Sequence, residues 1–272
     1  IDQFGGDSST LNFGSNTNWQ DVILRTAPAT TNNLSYSKGY EKGNIRATFS
    51  YTNQQGIVEK SGQERITGRL NLQHKFLDDK LTLAIQSSIS SVNDKAAPIS
   101  STAGFNGDII GSAYLANPTW PNDDTFDAGG GSLNPANLLT NYQSESNSTR
   151  LLMNASLDYQ FSNDFSTKVN LGIDNFEGTS TSVFGSGVNG INRVSGNGQG
   201  AYNQLESKSN LLEWTVNYKK GFGNVKLDAV AGYSFQDFRT FGFNSQGWGF
   251  GSSTLDQISS NLAAARDQVA GS

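Results

Sequence analysis

Between Asn44 and Thr52 the chain reads Asn44-Ile45-Arg46-Ala47-Thr48-Phe49-Ser50-Tyr51-Thr52, apolar and polar residues alternating without an exception. Neighbouring side chains of a strand point to opposite faces, so this stretch predicts a strand with one apolar face and one polar face. The pattern recurs along the chain. Ile66, Leu70, Leu72 and Phe76 oppose Arg69, Asn71 and Gln73, and Leu81, Leu83, Ile85 and Ile89 oppose Thr82, Gln86 and Ser88. Met153 to Phe161, Val169 to Ile173, Leu212 to Tyr218 and Val225 to Phe235 repeat it, and a shorter strand at Leu34 and Tyr36 brings the expected number to about eight.

The junctions between these strands alternate in length. Lys38 to Gly43, Leu77 to Lys80, Ser162 to Asp164 and Gly221 to Asn224 are tight turns rich in Gly, Asn and Asp. Asn53 to Glu64, Lys95 to Asn147, Glu177 to Ser207 and Asp237 to the end read as long polar loops. Short turns at one rim and long loops at the other are the arrangement of outer-membrane barrels, whose short turns face the periplasm. Tyr40, Phe76, Phe161, Phe165, Tyr218 and Phe222 lie in or beside the short turns, where an interfacial aromatic girdle belongs.

The bulk properties agree with a membrane strand protein and exclude several other classes. Hydrophobic residues make up 35% of the chain and mean hydropathy is −0.47. No window approaches the ~18 consecutive apolar residues of a spanning helix, whereas strands that alternate look hydrophilic on average. Cysteine is absent, which removes disulfides, thiolate metal sites and thiol nucleophiles. Net charge is −5 with Lys and Arg dispersed, so no nucleic-acid groove is expected. Ile1 to Asn16 show no secretion signal.

Two loops carry helix signals. Asn134-Pro135 is a cap followed by a first-turn proline before Leu138, Leu139 and Tyr142. Thr254 and Gln257 have capping-box spacing, and Leu255, Ile258 and Leu262 fall on one helical face that needs a partner. Motifs for chemistry are weak. Gly185-Ser186-Gly187-Val188-Asn189-Gly190 has the spelling of a dinucleotide loop but no strand-helix context. Asn122-Asp123-Asp124 with Asp127 lacks calcium-loop spacing, and His74, the sole histidine, reads as an interfacial side chain. No catalytic residue, metal site or cofactor is expected. Aromatics in the long loops, Tyr114, Trp120, Phe184, Tyr202 and Trp248, are the candidates for contact with a substrate or a lid protein, because aromatic faces grip sugars and peptides. The alternative is that these rings pin the loops to one another. Trp120 leads the set, since Pro118 and Pro121 stiffen its surroundings.

Thr17-Asn18-Trp19-Gln20-Asp21 followed by Arg25-Thr26-Ala27 resembles the first extracellular loop region of the SusC/RagA family of TonB-dependent outer-membrane transporters. Asn33-Leu34-Ser35, Asn53-Gln54-Gln55-Gly56-Ile57-Val58, Arg65 with Arg69-Leu70-Asn71-Leu72, and Asn117-Pro118-Thr119-Trp120-Pro121 ahead of Asn134-Pro135 continue the likeness in order. The resemblance implies an all-β, antiparallel transmembrane barrel of ~22 strands with a plugged lumen. On that reading residues 1–272 form a partial barrel domain, lacking the plug and the C-terminal strands. It also implies location in the bacterial outer membrane, a SusD-like surface lipoprotein as lid, TonB as energy source, and an oligosaccharide or oligopeptide as cargo. The contrasting expectation is a self-contained secreted or surface protein that binds ligand in a closed barrel of about eight strands.

Overall fold

The computed structural model describes residues 11–99, 108–127, 129, 133–188, 198–251 and 254–271. Nine strands follow one another in a single antiparallel sheet, each hydrogen-bonded to the next in sequence order: β1 (Ala29–Tyr40), β2 (Gly43–Gln55), β3 (Gly62–Phe76), β4 (Leu81–Lys95), β5 (Tyr142–Ser162), β6 (Phe165–Phe184), β7 (Gln199–Phe222), β8 (Val225–Trp248) and β9 (Asp267–Gly271). β9 lies in the stretch read as a terminal loop and pairs only with the Asn244–Trp248 end of β8. Among the described residues β1 and β9 do not pair with each other, so the sheet stays open and the small closed barrel is not formed.

The register fixes both faces. Leu83, Leu157, Val169, Trp214 and Tyr233 are successive cross-strand partners and share one face, as do Ile85, Ala155, Leu171, Leu212 and Phe235. The opposite face carries Gln86, Asn154, Asn170 and Glu213, and there a recess of about 520 Å³ opens between β4 and β7, with Lys168 and Thr215 in its wall. Arg69, Asn71, Asp158 and Asp228 share this polar, inward face, while Leu70, Val216 and Leu227 stand on the apolar, outward one. A polar inside and an apolar outside is the order a lipid-embedded barrel needs.

The outward face changes character along each strand. On β5 it is apolar from Tyr159 through Leu157, Ala155 and Met153 to Leu151, then turns to Thr149, Asn147 and Glu145. On β7 it is apolar from Tyr218 through Val216 and Trp214 to Leu212, with Lys220 and Phe222 below it at the short-turn rim, and above it becomes Asn210, Lys208, Glu206 and Gln204. The β5 run, Leu151 to Tyr159, has the length of about 9–11 residues with which a tilted strand crosses the hydrocarbon layer. The strands themselves go much further. β7 and β8 have 24 residues each, which at about 3.3 Å per residue is roughly 80 Å of chain.

This corrects the expected loop boundaries. Glu177 to Phe184, Gln199 to Ser207 and Asp237 to Trp248 are strand, not loop. Above the lipid both faces of the sheet meet water, so the period-two contrast fades while the backbone ladder continues. Lys208 on this upper outward row lies 3.9 Å from Glu177 and 3.6 Å from Glu206, three charges that a lipid-facing position would disfavour.

At the opposite rim the turns are as short as the sequence indicates. Gly223 supplies a φ of 61° to the β7–β8 turn, and Leu77, Asp78 and Asp79 take φ values of 54°, 52° and 65° in the β3–β4 turn. The aromatic girdle is continuous in two patches. His74 packs edge-on against Phe76 at 4.2 Å, and its Nδ1 lies 2.9 Å from the Tyr40 hydroxyl. Phe161 stands 4.6 Å from Tyr159 and 5.5 Å from Phe165.

Candidate functional site: the long-loop mouth

Among the described residues four short α-helices lie at the long-loop rim: α1 (Trp19–Ile23), α2 (Ile109–Leu115), α3 (Pro135–Thr140) and α4 (Leu255–Ser260). Each of the first three begins at a side chain suited to cap it. Asn18 accepts from the Gln20 N–H, Asp108 from Ile110 and Gly111, and Asn134 from Ala136 at 2.9 Å. The helix expected after Asn134 is present. Those starting at Trp19 and Ile109 were not read from sequence, although Asn18 and Asp108 are standard cap residues followed by apolar ones.

The first three helices share a core. Trp19, Ile23, Val58, Ile109, Trp120, Leu138 and Val188 are buried together, drawn from the N-terminal segment and from three different loops. Trp19 is 3% exposed, and its Nε1 donates to the Asn117 carbonyl at 3.0 Å. Its ring meets Trp120 edge-on at 6.5 Å, and Trp120 in turn faces Phe126 at 6.1 Å. The Thr17 N–H donates to the Pro118 carbonyl at 2.7 Å and the Thr17 hydroxyl to the Trp120 carbonyl at 2.6 Å. Arg25 ties the β2–β3 loop to this core, donating to Gly56 and Ser61 carbonyls and lying 3.4 Å from Glu59. Asn134 Nδ2 donates to the carbonyls of Asp123 and Phe126, and Asn137 to that of Asp124.

The acidic segment Asn122 to Asp127 is therefore organised by hydrogen bonds within the loops. The Thr125 N–H and hydroxyl both donate to the Asp123 carboxylate at 2.8 Å, holding it below the usual carboxylate range. Part of the glycine-rich stretch, Asn189-Gly190, lies outside the described residues, and Gly185 to Val188 are coil and turn at the end of β6.

The five aromatic candidates separate into distinct settings. Tyr114 on α2 is 84% exposed and presents its ring to solvent. Trp120 is 8% exposed and joins the loops as described above. Phe184, Tyr202 and Trp248 are strand residues rather than loop residues. Tyr142, Phe184, Gln199 and Trp248 are successive register partners across β5, β6, β7 and β8, forming one inward row where the strands reach the mouth. The rings of Tyr142 and Phe184 are 4.7 Å apart, and burial raises the Tyr142 pKa. The Trp248 Nε1–H is enclosed without a hydrogen-bond partner among the described residues. Tyr202 stands on the outward row, 6.3 Å from Phe243.

α4 finds the partner its apolar face needs on the outward side of the upper sheet. Ile258 packs with Val183 and Phe250, flanked by Leu255 and Leu262. Gly200 makes this possible, since a Cβ there would lie 2.4 Å from Leu262 Cδ2.

No protein-family model matches the chain. Its sequence is 27% identical over 277 residues to the TonB-dependent receptor SusC of Bacteroides thetaiotaomicron, covering 90% of this chain and 27% of that protein. It is 26% identical over 246 residues to the TonB-dependent receptor P3 of Formosa agariphila, covering 84% and 23%. The fold matches the RagAB peptide transporter with a TM-score of 0.72 and 16% identity, over 96% of this chain and 30% of that one. The closed-closed state of the RagAB peptide importer gives 0.70. The chain is similar to a barrel segment of SusC/RagA-type TonB-dependent receptors. It spans about a quarter of the length of the curated relatives it matches. Receptors of this type are outer-membrane proteins, and the outward apolar band is what that location requires. By name these relatives are receptors and importers, not enzymes.

Several of the residues that carried the resemblance knit the mouth. Trp19, Arg25, Gly56 to Val58, Asn117 to Trp120 and Asn134 are scattered over more than a hundred positions, yet hydrogen bonds and ring contacts bring them into one cluster.

Proposed function

We infer that this chain supplies part of the wall and extracellular mouth of an outer-membrane importer that moves an oligosaccharide or oligopeptide inward, with energy delivered through TonB. A SusD-like surface lipoprotein closes over the mouth as a lid. The observation that carries this reading is the two-zone outward face, apolar for one bilayer thickness and polar above it, on strands joined by short turns below and a structured loop cluster above. The wall supplies passage and contacts rather than chemistry.

Within that reading Tyr114 is the first candidate for contact with lid or cargo, because its ring is already free. Phe184 and Trp248 belong to an inward row past which cargo travels, and the row's amide, Gln199, lies between them. Tyr202 faces the outside of the wall and suits a lid or neighbouring loop. Trp120 contributes by holding the loops that display the others. The test is co-purification of the full-length protein from outer membranes with the lipoprotein encoded beside it, together with uptake of labelled oligosaccharides and peptides. Tyr114→Ala should weaken lid association or uptake with the barrel intact, and unchanged values for both remove Tyr114 from the site.

A further inference from the structure

We propose that the outward face just above the apolar band holds a binding groove for an anionic sugar headgroup of the outer leaflet. Two recesses, about 460 and 330 Å³, lie side by side at the tops of β2 to β5 and share Lys60, Lys95 and Glu145 in their walls. The larger reaches Asn53 and Glu64, and the smaller is closed by Leu255 of α4.

Register places the carboxylates and Lys95 of this groove on the outside, although the inward-row residues Gln54, Gln63, Tyr142 and Ser144 also line it. Asn53 and Glu64 are cross-strand partners, as are Lys95 and Glu145, and both pairs continue the row that carries Tyr51, Ile66, Ile89 and Leu151 below them. Tyr51 and Ile66 are the last apolar pair on β2 and β3, and the Tyr51 hydroxyl donates to Glu64 at 2.8 Å. The groove therefore begins where hydrocarbon ends, and what lies against it at that height is the headgroup layer.

Its chemistry fits a phosphorylated or carboxylated sugar. Among the described residues the Lys95 ammonium engages no partner and the Lys60 ammonium donates to the Leu139 carbonyl. Both carboxylates are occupied, Glu64 by Tyr51 and Glu145 by Asn93 Nδ2 at 2.7 Å. Lys60 is held in the left-handed region, φ 61°, by a loop that the Gly56 N–H closes on the Ser61 carbonyl at 2.9 Å, so the ammonium is aimed by a built turn. Leu255 offers an apolar wall for a sugar ring, and amides along the rim offer donors.

The experiment compares the full-length wild type with the double variant Lys60→Gln and Lys95→Gln in nanodiscs containing either lipopolysaccharide or phosphatidylethanolamine alone. Retention of lipopolysaccharide after detergent extraction should fall by roughly tenfold in the double variant and be restored by Lys60→Arg with Lys95→Arg, since each cation near the surface contributes on the order of 1 kcal/mol. Phosphatidylethanolamine retention and uptake should not change, because Lys95 stands on the outward row and the inward row of Tyr142 is left intact. Equal lipopolysaccharide retention by wild type and double variant overturns the proposal. Retention that is equal while binding of a free uronic-acid oligosaccharide is lost overturns it in favour of a soluble ligand. Whether the protein imports at all is read separately from wild-type uptake, so failure of the import reading does not mimic either result.

Discussion

The lower and upper halves of β5, β6 and β7 share one uninterrupted ladder but live between different solvents. Below, Leu157, Val169 and Trp214 face outward and Asp158, Asn170 and Glu213 inward; above, Asn147, Thr179 and Gln204 face outward beside inward residues that are equally polar. The difference teaches that side-chain alternation reports a contrast of environments, while the strand itself needs only backbone pairing. The upper half is then free to carry loops, and those loops build their own core.

That division implies that the two halves fail independently. Trp19→Ala removes a ring buried among Trp120, Ile23 and Leu138 and should destabilise the loop cluster by about 3–5 kcal/mol, seen as fast hydrogen exchange in α1, α2 and α3 with β5 to β7 still protected. Loss of protection throughout the lower strands would show the halves to be one cooperative unit.

Ala155 sits at the centre of the outward apolar run on β5, so Ala155→Arg should cost about 2–4 kcal/mol of barrel stability in lipid. Thr149→Arg, six residues up the same row and beside Glu177 and Glu206, should stay within about 0.5 kcal/mol of wild type. Equal costs at the two positions would place both in one environment.

How much of this was legible follows from the same contrast. Ile45 to Tyr51 and Met153 to Phe161 could be read as strands because lipid and water meet their two faces. Glu177 to Ser182 could not, since a run of Thr, Ser and Gly beside a charge looks the same in a solvated strand as in a loop. The helix after Asn134 was legible from its cap and proline. The cores were not, because the contact of Trp19 with Trp120, and of Ile258 with Val183, depends on loops meeting far apart in sequence. At Trp120 the flanking prolines are equally consistent with a displayed ring and a buried one.

A smaller effect tests how the upper sheet carries α4. Gly200→Ala drives a methyl group toward Leu262 and should loosen α4 by about 1–3 kcal/mol, visible as protease sensitivity between Trp248 and Asp267 while the lower strands are unaffected. The smallest concerns the lower rim. Tyr40→Phe keeps the girdle ring but removes the contact with His74 Nδ1, so thermal unfolding in lipid should report a loss of about 0.5–1.5 kcal/mol; no loss would mean that the pair exchanges freely with interfacial water.

The central claim is that one outward row passes from lipid into water. This segment contains no cysteine, so single substitutions along β7 report one site each: Leu212→Cys, Trp214→Cys and Val216→Cys below, Gln204→Cys, Glu206→Cys and Lys208→Cys above. Spin labels on the first three, in the otherwise cysteine-free full-length protein in nanodiscs, should be reached by oxygen dissolved in the bilayer. Labels on the second three should be reached by a water-soluble nickel chelate, as should one at Glu213→Cys on the inward face. Oxygen contact at 204, 206 and 208 equal to that at 212, 214 and 216, or a lipid-exposed label at 213, would contradict the account.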